Sequence, residues 1–325
     1  MRVLSNSDYS LFERLVSLSQ KEMHKAMAQY LKAKYDNVIF TKDYLVAIGD
    51  IPIALIAHMD TVFKTPVSNL YYDQRKGVLW SPEGLGADDR AGIFAILKIL
   101  QDGLKPCIIL TTDEEQGGLG ALTLAMEKCP IKDLKYMIEL DRRGSNDCVF
   151  YDCYCPEFVD YIESFGFCEK WGSFSDISFL MPEWKVCGVN LSIGYEDEHS
   201  VTEILNIGPL FDTIKKVKQM LQDTDIPYFE YNELTVANSH WWKTKIYGQH
   251  CSKCKKLYSE YELFPVKGKN KAIKYYCPDC VVDNIEWCDV CGEAFEIEDP
   301  KNSIKKCKEC AENVCMKTSK SNLNQ

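Results

Sequence analysis

The sequence predicts an α/β fold, with a mainly parallel or mixed central sheet sandwiched by helices and a small four-cysteine, zinc-ribbon-like module after it. Three observations predict this. Short apolar, β-branched runs alternate with runs at helical spacing through about residue 222, the pattern of strands joined by crossover helices. The run IPIALIAHMDTV, residues 51–62, is apolar enough to be covered on both faces. It ends in His58-Met59-Asp60, at the edge where such sheets build sites. Nine of the 16 cysteines lie after residue 250, and eight of those nine form four CxxC pairs.

Residues 8–34 place Leu11, Leu15, Leu18, Met23, Met27 and Leu31 at helical spacing, which predicts an amphipathic helix. Strand-like runs follow at 36–40 and 44–48, then the run at 51–58. Residues 69–80 read as a hairpin turning at Asp73-Gln74-Arg75-Lys76-Gly77. The order continues with a helix over 89–102, a strand over 107–112, a helix over 119–128, strands over 135–141 and 147–153, and a helix over 156–166. A strand over 186–193 and a closing helix over 207–221 complete this part. The expected organisation is a catalytic domain over 1–225, a connector over 226–248, a cysteine-rich module over 249–315 and a disordered tail over 316–325.

At 325 residues and 46% hydrophobic content the chain can bury a substantial core. No stretch approaches the roughly 18 apolar residues of a membrane span, and MRVLSNSDYSLFERL lacks the apolar core of a signal peptide, so a cytoplasmic location without membrane insertion is expected. A formal net charge of −10 argues against nucleic-acid binding by the whole molecule, because phosphate contacts need clustered cations.

Polar, chemistry-bearing residues recur where the predicted strands end. After His58 and Asp60 come GADDRAG with Asp88 and Asp89, TTDEEQGGLG with Glu114 and Glu115, ELDRRG with Asp141, and GYEDEHSVTE with His199. Taken singly, each has an ordinary reading as a packed histidine, a turn, a helix cap or solvated charge. Taken together, at the carboxyl edge of an open sheet, two histidines and three carboxylates suit zinc or a similar divalent ion, with one carboxylate bridging two metals. Two metals about 3.5–4 Å apart can activate one water between them.

His58-x-Asp60, the segment from Gly86 to Gly92, Asp113-Glu114-Glu115 with Gly117-Gly118, Asp141, and Glu198-His199-Ser200 resemble, in order, the motifs of the co-catalytic di-zinc exopeptidases. This group, clan MH, includes peptidase T, glutamate carboxypeptidase and the leucyl and deblocking aminopeptidases. The resemblance spans roughly residues 8–222. It implies that Asp88 bridges two zinc ions, with cobalt or manganese as alternatives. His58 and Asp141 would complete one metal, and Glu115 and His199 the other. It also implies that Asp60 orients His58 and that Glu114 is the general base, although the adjacency of Glu114 and Glu115 leaves an exchange of their roles open. Some members carry a lid or dimerisation domain between the aspartate and the last histidine. Here Asp141 and His199 are separated by only 57 residues, so the architecture resembles the compact aminopeptidase branch. Tyr195 is a candidate helper at the oxyanion. Ser175-Asp176 reads equally as a helix N-cap and as an element near the substrate pocket. Arg142 and Arg143 read as ion-pair residues before substrate-carboxylate ligands.

In the tail, Cys251 and Cys254 precede Cys277 and Cys280 by 22 residues, and Cys288 and Cys291 precede Cys307 and Cys310 by 15, the spacing of two four-cysteine structural zinc sites. Crossed pairing, as in interleaved zinc folds, is the alternative that spacing leaves open. From Cys251 onward there are 13 lysines, no arginine and 12 acidic residues, so the module has no strong basic footprint and fits a protein partner better than a nucleic acid. The leading expectation is a zinc metallopeptidase, an exopeptidase of aminopeptidase type acting on a peptide or small amide. An N-acyl amino acid deacylase or carboxypeptidase-like amidohydrolase is the alternative on the same metals. A non-catalytic zinc-binding scaffold is the alternative of another class, and its expected sign, a lost ligand or base, is absent.

Overall fold

A computed structural model describes residues 3–233, 248–259, 263–267, 273–277, 280–281, 285–287 and 294–296. The chain divides into two compact units, Met1–Thr235 and Val236–Gln325. In the larger unit the strands are β1 (Asn37–Phe40), β2 (Tyr44–Ile48), β3 (Ile51–His58), β4 (Tyr71–Asp73), β5 (Val78–Trp80), β6 (Pro106–Thr111), β7 (Tyr136–Arg142), β8 (Asp147–Val149), β9 (Cys168–Glu169), β10 (Gly188–Ser192), β11 (Tyr195–Glu196) and β12 (Ile204–Asn206). The helices are α1 (Asn6–Val16), α2 (Gln20–Lys34), α3 (Ala87–Gln101), α4 (Leu119–Ala125), α5 (Pro156–Ser164), α6 (Asp176–Trp184) and α7 (Ile207–Leu221).

Eight strands form the central sheet in the order β1-β2-β6-β3-β7-β10-β8-β9. The four inner strands β6, β3, β7 and β10 are mutually parallel, while β1, β2 and β8 pair antiparallel, so the sheet is mixed. From β3 the chain crosses first to β6 on one side and later to β7 on the other, which makes the carboxyl end of β3 a topological switch point. Ile53, Ala54, Leu55, Ile56 and Ala57 of β3 are fully buried, as a strand covered on both faces requires. Phe94 of α3 meets Phe12 of α1 and Phe211 of α7 edge-to-face, with ring centroids 5.8 and 6.1 Å apart, which locks three helices into one layer. A second, smaller sheet has the order β11-β12-β5-β4.

Three expectations are corrected. The helix expected over 8–34 is two helices, because Ser19 caps α2 and forms a reciprocal capping box with Glu22. The strand expected over 147–153 ends at Val149, and Tyr151 turns into the left-handed region at φ 49°. The first part of the expected connector belongs to the larger unit: Glu230 bridges to Val186 and Glu233 to Cys153, and Phe229 and Tyr231 are buried.

The described part of the smaller unit consists of three antiparallel ribbons, Gly248–His250 with Leu257–Ser259, Phe264–Lys267 with Ile273–Tyr276, and Ile285–Trp287 with Ala294–Glu296. Among the described residues no helix is long and apolar enough to cross a membrane.

Candidate metal centre

The end of β3 places His58 and Asp60 within a buried turn. The His58 side chain is fully enclosed, with Nδ1 3.2 Å from Asp60 Oδ1 and Nε2 2.9 Å from Asp88 Oδ1. The same Asp60 carboxylate accepts from the backbone N–H of Glu114 at 3.1 Å and of Glu115 at 3.0 Å. Asp60 therefore holds both the imidazole and the Glu114-Glu115 turn that follows β6. Burial alone would raise its pKa, but these donors bring it below its ordinary value.

Asp88 lies between two groups of donors. Its Oδ1 faces His58, whose Nε2 is also 3.6 Å from Asp141 Oδ1, while its Oδ2 is 3.2 Å from His199 Nε2. His199 Nε2 is in turn 3.0 Å from Glu115 Oε2. Two sets, His58/Asp88/Asp141 and Asp88/Glu115/His199, each bring one donor atom per residue within 4.8 Å of the others. The residues predicted in sequence thus come together as two triads sharing one carboxylate.

This position of Asp88 follows from local structure. Gly86, at φ 63°, precedes α3, and Asp88 and Asp89 have non-helical torsions, so both carboxylates stand before the regular turns of the helix. The Asp88–Asp89 peptide is cis. Asp89 turns inward, accepting from His58 N at 3.3 Å and Gly92 N at 2.8 Å. His199 sits at φ 62° in the loop after β11, a conformation that non-glycine residues seldom adopt.

The electrostatics express a surplus of buried carboxylate. Burial, with Asp141 and Asp176 nearby and His58 opposing, pushes Glu114 up to about 9. Burial and the adjacent Asp88 push Asp141 up to about 7. Hydrogen bonds to Asp88 and Glu115 raise His199 to about 11. Asp88 is held low because the bonds from His199 and His58 outweigh its burial. Glu115 Oε1 is buried with no hydrogen-bond partner. Oxygen-rich triads with imidazole, a shared carboxylate and an orphaned carboxylate oxygen fit divalent cations of the zinc type.

Several supporting residues have no place in the motif-based expectation. Asn190 of β10, buried beside Asp141, accepts from Asp141 N at 3.0 Å and donates to Asp141 O at 2.8 Å, with Tyr151 Oη at 3.1 Å and Ser175 Oγ at 3.3 Å sharing its second N–H. Glu203, 1% exposed, accepts from Gly86 N at 2.6 Å and Asp88 N at 3.0 Å. Glu139, fully buried in β7, accepts from Ile177 N at 3.3 Å. Asn190 and Glu139 each interrupt an apolar run, within 189–191 and 137–140, and that interruption is their sequence signal. Ser175 caps α6 and donates to Asp141 Oδ2 at 3.0 Å, and Thr111 donates to Asp176. Tyr195, considered above as an oxyanion donor, is buried and donates to Asp141 Oδ1 at 3.0 Å. Arg143 pairs with Glu198 at 2.9 Å, and Arg142 donates to the Trp171 carbonyl at 3.2 Å.

In the smaller unit Cys251, Cys254, Cys277 and Cys280 bring their sulfur atoms within 4.8 Å of one another, with Cys254 and Cys277 3.8 Å apart. Cys251 Sγ accepts from Cys277 N at 3.4 Å, and its thiol is lowered to about 6 because backbone N–H donors outweigh burial. Cys251 and Cys277 belong to a small core with Leu263, Val266, Tyr276 and Val281. Cys288, Cys291, Cys307 and Cys310 lie outside the described residues.

No family model matches the chain, and no curated protein matches it in sequence. Solved structures do match in fold. A tripeptidase from Staphylococcus aureus superposes with a TM-score of 0.55 at 14% identity, covering 68% of this chain and 99% of its own. A TET aminopeptidase from a marine sediment Thaumarchaeota archaeon gives 0.54 at 14% identity, covering 68% and 98%. The aminopeptidase PepT from Bacillus cereus gives 0.50 at 15% identity, covering 66% and 97%. The fold is therefore that of α/β aminopeptidases and tripeptidases, in agreement with the resemblance drawn from the motifs.

Proposed function

We propose that the larger unit is a two-metal hydrolase of peptide bonds, an exopeptidase of aminopeptidase type using zinc. The observation that carries this reading is the division of the Asp88 carboxylate between two donor triads, Oδ1 toward His58 and Oδ2 toward His199. His58 and Asp141 would hold one ion and Glu115 and His199 the other, with Asp88 between them. Bound metals supply Lewis-acid polarisation of the scissile carbonyl and a nucleophile at neutral pH.

The rest of the work falls to this chain's own residues. Glu114 is absent from both triads, yet its backbone is fixed by Asp60 beside them. Its carboxyl, raised to about 9 without metal, would ionise beside bound cations, and the carboxylate would then take the proton of the attacking water and return it to the leaving amine. Asp60 keeps His58 Nε2 directed at Asp88 by engaging Nδ1. Asn190, Ser175 and Tyr195 hold Asp141. The Cys251/Cys254/Cys277/Cys280 cluster would take a structural zinc, and Cys288, Cys291, Cys307 and Cys310 a second, so that metal binding supplies folding energy to a small core. The module would then serve a protein partner. A cytoplasmic setting, where thiols remain reduced, suits such sites.

The test is hydrolysis of matched free-amino peptides and N-acyl amino acids by zinc- or cobalt-loaded protein. Cleavage of the free-amino set, falling by roughly 10²–10⁴ in Glu114→Gln while metal content is kept, is the expected result. Turnover confined to the acylated set would make the enzyme a deacylase. Turnover insensitive to Glu114→Gln would refute the assignment of the base.

A further inference from the structure

The sheets of the larger unit end in four edge strands, β1 and β9 in the central sheet and β4 and β11 in the smaller one. Three of them are two or three residues long and each contains an acidic residue: Glu169 in β9, Asp73 in β4 and Glu196 in β11. β1 differs. It is four residues long, Asn37-Val38-Ile39-Phe40, and has no charge, no proline and an unbroken register against β2. Short or charged edges resist pairing with another chain, whereas a regular, uncharged edge presents a row of backbone groups to one.

The register shows which groups of β1 are open. Asn37 lies opposite Ile48 and Ile39 opposite Val46, and in the same register the Thr41 N–H donates to the Tyr44 carbonyl at 3.1 Å. Hydrogen-bonded pairs alternate along an antiparallel ladder, so Asn37, Ile39 and Thr41 direct their backbone groups at β2. Val38 and Phe40 direct theirs away from the sheet. Among the described residues no strand lies on that side, and no loop or cap hydrogen bond reaches either residue. Phe40 is also 50% exposed, although its ring is held on α2 by His24, with centroids 5.1 Å apart, and by Lys32 Nζ, 4.7 Å from the ring centre.

The ends of this edge carry opposite charges. Asp36, exposed, precedes β1, and Lys42, its side chain 90% exposed, follows it. A two-fold axis through Ile39 sets Val38 opposite Phe40 on each side and Asp36 opposite Lys42 at each end. The outward N–H and C=O groups of Val38 and Phe40 then bond reciprocally, and each Phe40 ring faces a β-branched neighbour, a favoured cross-strand pair. A slip of two residues sets Asp36 against Phe40 or Lys42 against Val38, and a slip of one presents the inward backbone groups instead. The edge is thus complementary to itself in charge, hydrogen bonding and shape. We propose that β1 is the pairing edge of a homodimer, in which two copies of this chain join antiparallel about Ile39 into one continuous sheet. The proposal does not rest on peptide hydrolysis and is tested without it.

The experiment is sedimentation velocity on full-length, zinc-loaded protein over a wide concentration range. A four-residue edge is a small interface, so a reversible dimer with a dissociation constant on the order of 1–100 μM is expected. Asp36→Lys and Lys42→Asp each oppose like charges at both ends, and each is expected to weaken the dimer at least roughly tenfold. An equimolar mixture of these two variants opposes unlike charges again and is expected to associate, a rescue that a folding defect in either variant would not give. Phe40→Pro removes an outward N–H while leaving those aimed at β2, and is expected to abolish the dimer. The proposal is overturned by a protein that stays monomeric up to about 1 mM, tenfold above the expected range. It is equally overturned by a dimer that both charge variants and Phe40→Pro leave intact, or by a mixture of the charge variants that stays as weakly associated as each alone.

Discussion

Replacing Asn190 with alanine removes the clamp on Asp141 while every proposed ligand side chain stays in the sequence. The amide satisfies both backbone groups of Asp141, N–H at 3.0 Å and C=O at 2.8 Å, in a position 1% exposed. Each buried polar group left without a partner costs about 1–3 kcal/mol, so the two together cost roughly 2–6 kcal/mol of stability. Asp141 also loses the support that orients it, and loss of such support typically weakens metal binding by about 10–100-fold. That loss is expected at the His58/Asp88/Asp141 set, with the Asp88/Glu115/His199 set retained. Urea unfolding of the metal-free protein measures the first effect, and competition with a graded series of chelators measures the second. A stability change below about 0.5 kcal/mol, together with two undiminished metal affinities, would show that β10 does not position Asp141 and would refute the reasoning.

Gly92→Ala places a methyl group 2.4 Å from Asp89 Oδ2 and 2.5 Å from the Leu140 carbonyl, so it is expected to cost about 1–3 kcal/mol and to lower metal content, read by unfolding midpoint and metal analysis. Metal binding near pH 7 is expected to release more than two protons, because His58 and His199 are both raised in the metal-free protein and Glu114 and Asp141 stand at about 9 and about 7; calorimetry in buffers of different ionisation enthalpy counts them. Carboxyls and imidazoles raised in the folded state bind protons more tightly than in the unfolded chain, so their contribution falls as pH rises. The metal-free protein is therefore expected to lose stability between about pH 4 and the values of about 7, 9 and 11 for Asp141, Glu114 and His199, and metal loading to flatten that slope in thermal unfolding. Cys254→Ser is expected to cost one bound zinc ion without altering those of the larger unit, measured by metal analysis.

The alternation of strands and helices is readable from residue order alone, because hydrophobic period reports which faces are buried. So are the candidate ligands, because chemistry-bearing side chains stand out against apolar strand ends: His58 closes β3, and Asp141 falls near the end of β7. The break between α1 and α2 was legible in Ser19 and Glu22, yet the continuous apolar spacing across it masked the cap. Which strands become neighbours is settled in the folded chain, where β3 pairs with β6 on one side and β7 on the other. Only there do Asn190 and Glu203 reach Asp141 and Asp88, across 49 and 115 residues of chain. The division of the Asp88 oxygens is settled there too. The physical reason is common to all of these. A residue's type and spacing are local properties, whereas the direction of a hydrogen bond, the burial of a charge and the sharing of one carboxylate depend on groups that the chain joins only when it is folded.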